Sequence, residues 1–210
     1  MLINILTESP QIFLVVILAI IYALTIHEFS HAWAATLLGD STAKFNGRLT
    51  LNPLAHMEIF GTIMLFIAGF GWGKPVPVNI YNLKWRRWGG AVVSLAGPLS
   101  NFISVFVFIL IFSVIAPNLG PSNLLVVFLS FLIFINLILG VFNLIPIPPL
   151  DGSKILFAAL PGQFDEFKRK FTINGPFVLI ALIILDNLLN LHILDTIFSF
   201  FVSIIESFLF

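Results

Sequence analysis

The sequence predicts an all-α membrane protein, a polytopic helical bundle of about five to six membrane segments with a re-entrant or extended loop region between the first two full spans. Composition is the first observation: 59% of the 210 residues are hydrophobic and 10% are charged, against about 45–50% and about 25% in soluble domains. Long apolar runs are the second, and a mean hydropathy of +1.09 reflects them. The third is the confinement of all basic residues to two segments of the chain.

The apolar runs give the order of the elements, because a spanning helix needs about 20 mostly apolar residues. The N-terminus MLINILTESP lacks a basic region, so we interpret it and the run behind it as an uncleaved membrane anchor. Phe164, Phe167 and Phe171 recur at helical spacing among charges, which is typical of an interfacial amphipathic helix. The predicted full spans are Gln11 to about Leu38, about 89–115, about 123–144 and about 175–194, and a short fifth segment covers 196–210.

The loop between the first two spans contains an apolar stretch, 59–72, that is too short to cross a membrane comfortably. The following segment, 73–88, carries alternating prolines that forbid a helix and favour an extended loop. Basic residues flank 59–72 on both sides, and basic residues mark the cytoplasmic face. We therefore predict that 59–72 enters and leaves on one face, with both basic segments and the C-terminus cytoplasmic and the N-terminus outside.

Charge and cysteine content exclude several functions. Ten Lys and Arg balance ten Asp and Glu, so no nucleic-acid partner is expected. The chain has no cysteine, which excludes disulfides and thiolate metal ligands. Metal chemistry would therefore depend on His, Asp and Glu. We expect one integral membrane domain over 1–210, with a motif-bearing core at about 11–160 and accessory C-terminal membrane helices at about 175–210.

The stretch HEFSH, near the end of the first span, carries the strongest chemical signal. His27 and His31 are four residues apart, so they share one face of a helix and can bind one cation. Glu28 lies between them, as the general base does in His-Glu-x-x-His metalloproteases. Ionisable groups at membrane depth are costly and usually serve a shared site. The pattern favours zinc, which would lower the pKa of a bound water towards about 7.

A catalytic zinc site needs a third protein ligand. Topology places Asp186 and Asp195 at the opposite face, and Asp40, Asp165 and Glu166 in solvated segments, which leaves Asp151, Glu58 and His56. Asp151 lies within the proline-rich segment FNLIPIPPLDG, whose irregular backbone at membrane depth would have to line a cavity or be buried in protein. The alternative is that Asp151 only caps the helix SKILFAAL. The residues alone favour neither.

Three motifs together resemble the site-2 protease family of intramembrane zinc metalloproteases, in its minimal bacterial branch without PDZ or CBS domains. They are HEFSH, GPLSN and FNLIPIPPLDG, which occur in the family's order; LTLNPLAH and GWGKPVPVN are also similar to that branch. The resemblance covers roughly 15–160 and implies a bacterial plasma membrane location. One departure is His56-Met57-Glu58-Ile59, where related sequences commonly read HIDP. A hydrogen bond that holds the loop is the expected role of His56.

The resemblance implies a role for each motif residue. His27, His31 and Asp151 would bind Zn²⁺, and Glu28 would be the catalytic acid and base. Asn143 would contact the substrate backbone or the developing oxyanion. Asn101 of GPLSN would lie near the site as a substrate contact, with an interhelical hydrogen bond as the equally weighted alternative.

The expected function is therefore intramembrane proteolysis near the cytoplasmic face. The partners would be the lipid bilayer and a membrane-protein substrate whose transmembrane segment is locally unwound, because a helix hides its carbonyls. The extended KPVPVN segment could accept an opened substrate strand or be a plain connector. The alternatives are a metal-ion transporter, which commonly shows repeated halves that are not visible here, and a catalytically inactive scaffold of the same fold.

Overall fold

The computed structural model describes residues 2–68 and 71–209. Residues 69 and 70 of the predicted re-entrant segment, and residue 210 of the predicted fifth segment, lie outside the described residues. The described chain is helical apart from loops and one isolated bridge between Met57 and Gly73. Its α-helices are α1 Leu2–Glu8, α2 Pro10–Leu37, α3 Thr42–Phe45, α4 Ile59–Ala68, α5 Arg87–Leu119, α6 Leu124–Asn143, α7 Asp151–Ala159, α8 Asp165–Leu188 and α9 Ile193–Leu209.

Three helices form the centre of the bundle. Within the described residues, α2, α5 and α6 are the helices long and apolar enough to cross a membrane, and all three pack against one another. Lipid tails are as apolar as leucine, so close packing rather than water exclusion holds such helices together. Small residues on α2 allow close approach, since Ala19, Ala23, Ala32 and Ala35 are fully buried. The all-α membrane fold is confirmed.

The loop between α2 and α5 returns to its starting point. The short helix α4 leaves at Ile59, and the chain comes back so that Gly73 pairs with Met57 in an antiparallel bridge. A Cβ on Gly61 would lie only 2.0 Å from the Trp72 carbonyl oxygen, so the returning chain runs directly along the first turn of α4. Residues 74–79 then run without helix or regular strand, as the prolines predict.

The predicted division of the C-terminal region is wrong. The interfacial helix and the fourth span form one helix, α8, from Asp165 to Leu188. Thr172 and Asn174 sit at the predicted break, and both side chains donate to carbonyls four residues earlier, within the helix. A change from charged to apolar residues therefore alters the surroundings of the helix without interrupting its backbone hydrogen bonds.

The helix that carries the predicted fourth span ends at Leu188, earlier than the predicted residue 194. Asp186 accepts hydrogen bonds from the backbone N–H groups of Ile193 and Leu194, and this reverses the chain into α9. Asn190 and His192 adopt positive φ in the turn. The predicted second span is likewise shorter than α5, which begins at Arg87 and ends at Leu119.

Candidate active site

Three predicted ligands from distant parts of the chain meet at one point. His27 and His31 lie one turn apart on α2, and Asp151 is the first residue of α7, which packs against α5. The two Nε2 atoms are 3.0 Å apart. Asp151 Oδ2 lies 3.2 Å from His27 Nε2 and 2.9 Å from His31 Nε2. All three side chains are buried.

This triangle of atoms fits one face of a zinc coordination sphere. Ligands about 2.0–2.2 Å from one zinc ion at tetrahedral angles lie about 3.3–3.6 Å from one another, on average roughly 0.4 Å more than the observed spacing. Two imidazoles and one carboxylate are also a usual catalytic set, which leaves a fourth position open. Within the described residues this is the one group of three or more such side chains close enough to hold a metal ion.

Hydrogen bonds on the far side of each imidazole fix its orientation. His27 Nδ1–H donates to Asn101 Oδ1 at 2.6 Å, and His31 Nδ1–H donates to the Val93 carbonyl at 2.7 Å. Both partners belong to α5. With the proton held on Nδ1, the lone pair of each Nε2 points to the ligand triangle, which is the tautomer that binds a metal.

Hydrogen bonds of two side-chain amides link the His27 imidazole to the neighbouring helices of the bundle. Asn101 donates through Nδ2 to the Ala23 carbonyl on α2 and to Asn136 Oδ1 on α6. Asn136 in turn donates to the Leu132 carbonyl. Asn101 and Asn136 are both fully buried. Both Nδ2 hydrogens of Asn101 are used, so the structure favours the interhelical hydrogen bond for this residue over the predicted substrate contact.

Gly97 of GPLSN leaves space for the ligands. A Cβ on this residue would lie 2.5 Å from His31 Nε2 and 2.7 Å from His27 Nε2. No side chain fits there unless α5 or the imidazoles move. Pro98, the next residue, lies inside α5 and lacks the N–H that would bond to the Ser94 carbonyl. One backbone hydrogen bond of α5 is therefore missing at Ser94, next to Val93, whose carbonyl holds His31.

The contacts of Asp151 differ from those of a helix cap. Leu150 occupies the N-cap position of α7, and no side-chain hydrogen bond caps the helix. Asp151 Oδ2 faces the histidines, and Oδ1 accepts from Lys154 at 3.0 Å. Gly152 lets this turn pack tightly, because a Cβ on it would lie 2.2 Å from the Leu144 carbonyl oxygen. The ligand interpretation therefore fits the structure better than the cap.

A large cavity opens beside the ligands. Its volume is about 1280 Å³, and apolar side chains form most of its wall. Glu28 lines it together with the three ligands, and the buried Glu28 Oε2 accepts no hydrogen bond. Asn143 also lines it and donates one hydrogen bond to the Leu139 carbonyl. A carboxylate with an unpartnered oxygen beside a metal-ligand group can accept a proton from water.

Comparisons with known proteins agree with this chemistry. The family model for peptidase family M50 matches residues 118–185. YwhC of Bacillus subtilis, named a candidate zinc metalloprotease, is 45% identical over 150 residues, 69% of this chain and 68% of that protein. The chain belongs to peptidase family M50. As an M50 member with these relatives it is a zinc metalloendopeptidase, and its apolar helices make it a multi-pass membrane protein.

Further relatives of this M50 protease carry similar names. Rip2 of Mycobacterium tuberculosis is 35% identical over 187 residues, 83% of this chain and 67% of that protein. Rip2 of Mycolicibacterium smegmatis is 30% identical over 197 residues, 90% of this chain and 74% of that protein. Both are named candidate zinc metalloproteases. No solved structure gives a significant match.

The remaining acidic and histidine candidates of the M50 protease lie away from the ligand group. His56 is fully buried, and its Nε2–H donates to the Thr50 carbonyl at 2.8 Å, as expected of a loop-holding residue. Burial and the neighbouring Arg48 lower the pKa of His56. Glu58 Oε2 accepts from the Gly61 N–H at 2.6 Å and so caps α4. His192 pairs with Asp195 on the surface.

Four residues of the site region were not predicted from the sequence. Asn136 had a readable signal, a lone amide in the apolar run FLIFINLILG. Gly97 lies in a quoted motif, but its role depends on how closely α5 approaches α2. Asp40 and Arg48 are buried in the loop after α2, although the sequence placed both in a solvated segment.

Proposed function

We propose that this protein is an intramembrane protease that hydrolyses peptide bonds in or near transmembrane segments of other membrane proteins, in regulated intramembrane proteolysis. The observation that carries the proposal is the position of the proposed catalytic residues within the fold. His27, Glu28 and His31 lie within the apolar helix α2, and they open onto a large cavity with a mostly apolar wall. A soluble peptide would gain little from such a wall, whereas an apolar segment could enter it from the bilayer.

The residues divide the reaction between them. His27, His31 and Asp151 would hold zinc, which when bound would supply Lewis-acid chemistry that lowers the pKa of a water and polarises a carbonyl. Glu28 takes the proton from the attacking water and returns it to the leaving amine. Asn143 donates to the oxygen on which negative charge develops. Asn101 and the Val93 carbonyl keep both imidazoles in the metal-binding tautomer.

The substrate must be locally unwound, and the 74–79 segment offers it a partner. Pro75, Val76 and Val78 line the same cavity as Glu28. Within the described residues, no hydrogen bond involves the backbone groups of Val76 or Val78. An opened substrate strand could pair with these groups, and Gly, Asn or Pro in the substrate span would make the opening easier.

The same proposal includes the domain organisation of the chain and the membrane face at which the site lies. All proposed catalytic residues fall between His27 and Asp151, which supports a core at about 11–160 with α8 and α9 as accessory helices of one domain. Lys44, Lys74 and Lys84 lie in the loop next to the end of α2 that carries the histidines. Because basic residues mark the cytoplasmic side, we place the site near the cytoplasmic face of a bacterial plasma membrane.

The test compares membrane proteomes of cells that make the wild type or Glu28→Gln. Single-span proteins should accumulate at full length only with the variant, because Gln cannot accept the proton. The purified variant should still hold about one zinc per chain, since Glu28 is not a ligand. His192→Gln is the matched control and should behave as wild type. Equal substrate profiles for wild type and Glu28→Gln, or two or more tightly bound ions per chain, would contradict the proposal.

A further inference from the structure

Two charged side chains are buried outside the zinc site, in the loop between α2 and α5. Asp40 is 0% exposed and Arg48 is 4% exposed. Burying a charge is costly unless it is paired or fully hydrogen-bonded, so such residues need a structural reason. Both form hydrogen bonds with the same short stretch, residues 74–82.

Arg48 holds the beginning of that stretch. Its Nη1 donates to the Pro75 carbonyl at 3.0 Å, and its Nη2 donates to the Lys74 carbonyl. A planar guanidinium can reach two adjacent carbonyls at once, which a lysine ammonium cannot do in the same geometry. His56 Nδ1 lies 3.4 Å from Nη2, and the His56 carbonyl accepts from the Lys74 N–H at 2.8 Å.

Asp40 holds the end of the stretch. Its Oδ2 accepts from the Asn79 N–H at 2.7 Å, and its Oδ1 accepts from Asn82 Nδ2 at 3.1 Å. Thr42 donates two further hydrogen bonds to Oδ1. The Asp40 N–H donates to the Ala35 carbonyl, so the carboxylate is anchored directly to the end of α2.

The residues between these two clamps have a defined chemistry. Pro75 and Pro77 lack an N–H, while Val76 and Val78 each keep one. Residues preceding proline are confined to extended conformations, and alternate residues of an extended chain direct their N–H and C=O groups to the same side. Between the clamps, Val76 and Val78 therefore direct donors and acceptors to one edge, and Pro75 and Pro77 offer only acceptors to the other. The Val78 side chain packs against the cluster of Ala35, Leu83 and Val93, and the Val93 carbonyl accepts a hydrogen bond from His31.

We propose that Arg48 and Asp40 are positioning residues for substrate, which clamp the two ends of residues 74–79 and so present Val76 and Val78 as a preformed edge in the cavity. This inference rests on the proposed function, because it takes the substrate strand as the partner of that edge. A clamped edge has already lost its conformational freedom before the substrate arrives. Without the clamps, each binding event must order the segment, and apparent affinity falls by the fraction of time the segment is in place.

The first test measures the position of the segment without any substrate. The chain has no cysteine, so Val76→Cys and Asn118→Cys accept two spin labels on an otherwise unmodified protein. Electron–electron double resonance should give a narrow distance distribution for the wild-type background. Arg48→Met and Asp40→Asn should broaden it, and Arg48→Lys should fall between, because lysine bonds one carbonyl at a time. Lys44→Met, an exposed cation of the same loop, is the matched control and should leave it unchanged.

The distance result decides the clamping claim in every case. An unchanged distribution in Arg48→Met and Asp40→Asn overturns it. If Arg48→Met fails to fold, the near-isosteric Asp40→Asn and Arg48→Lys carry the same measurement. Asn at position 40 keeps the size of Asp but places an amide donor opposite either the Asn79 N–H or Asn82 Nδ2.

The second test uses a purified single-span protein captured by Glu28→Gln as the probe. Arg48→Met and Asp40→Asn should raise KM about tenfold while kcat stays within about twofold and zinc stays at about one per chain. Loss of zinc overturns the positioning role. A fall in kcat of about tenfold with unchanged KM also overturns it. A zinc-loaded wild type that cleaves no single-span protein contradicts the proposed function instead, and the distance measurement separates that outcome from failure of the clamp.

Discussion

Adding one methyl group to Gly97 should empty the zinc site. The new Cβ would lie 2.5 Å from His31 Nε2, and moving to the 3.4 Å of an ordinary contact requires a displacement of about 0.9 Å. Metal–ligand distances tolerate only about 0.2 Å. The displacement is several times that tolerance, and the same methyl group also crowds His27 Nε2 at 2.7 Å.

The expected loss is large compared with other changes around a metal. Removing a hydrogen-bond partner of a ligand typically costs 10–100-fold in metal affinity, and Gly97→Ala acts on two ligand atoms at once. We therefore expect zinc affinity to fall by at least about 100-fold, equivalent to about 2.7 kcal/mol. Cleavage should fall in proportion to the zinc lost.

The assay is zinc content of detergent-purified protein after equilibration with a graded series of chelator concentrations. Gly90→Ala is the matched control. It lies in the same helix and gains the same helix propensity of about 1 kcal/mol, but its Cβ would meet Ile80 at an ordinary 3.7 Å. Wild-type zinc affinity in Gly97→Ala would refute the reasoning, because it would mean that the ligands do not occupy the positions described.

Other perturbations test separate parts of the structure. Asn101→Leu should weaken zinc binding by about 10–100-fold in chelator competition, because the His27 imidazole loses its acceptor. Asp151→Asn should lower both zinc content and cleavage, whereas a pure cap would tolerate the change; normal values for both would remove Asp151 as a ligand. Hydrogen bonds from Thr42, Asn79 and Asn82 outweigh the effect of burial and lower the pKa of Asp40. Its stabilisation is therefore complete above the unfolded pKa of about 4 and is lost as pH falls through the folded pKa, so thermal unfolding scans should show a smaller acid-side loss in Asp40→Asn. Cysteine at Asn118 should label from outside intact cells, and cysteine at Lys84 should not.

The part of the site that sequence could predict is the part set by local geometry. The four-residue spacing of His27 and His31 places both on one helix face wherever α2 lies. Asp151 is 124 residues from His27, and no periodicity reports a distance of that kind. From the residues alone the ligand and cap interpretations were therefore equal, and only the packing of α7 against α5 separates them.

The same distinction explains the errors in the C-terminal region. The switch from DEFKRK to an apolar run marks where the surroundings of the helix change, and not where the helix begins or ends. A helix ends where its backbone hydrogen bonds end, and in α8 that point is set by Asp186, which turns the chain towards Ile193. A carboxylate that binds N–H groups seven and eight residues ahead leaves no periodic trace in the sequence.

Arg48 is a basic residue whose burial cannot be predicted from the number and position of charges in the sequence. The sequence predicts that it lies, with nine other basic residues, on the cytoplasmic side, and that prediction does not depend on it because the other nine fall in the same two segments. The hydrogen bonds of its buried guanidinium cannot be predicted from the number of basic residues. Arg48 donates to the carbonyls of Lys74 and Pro75, at the beginning of the segment whose Pro75, Val76 and Val78 line the same cavity as the proposed ligands. A loop held in this way is part of the active-site wall, and its sequence is constrained by the cavity as well as by the membrane face.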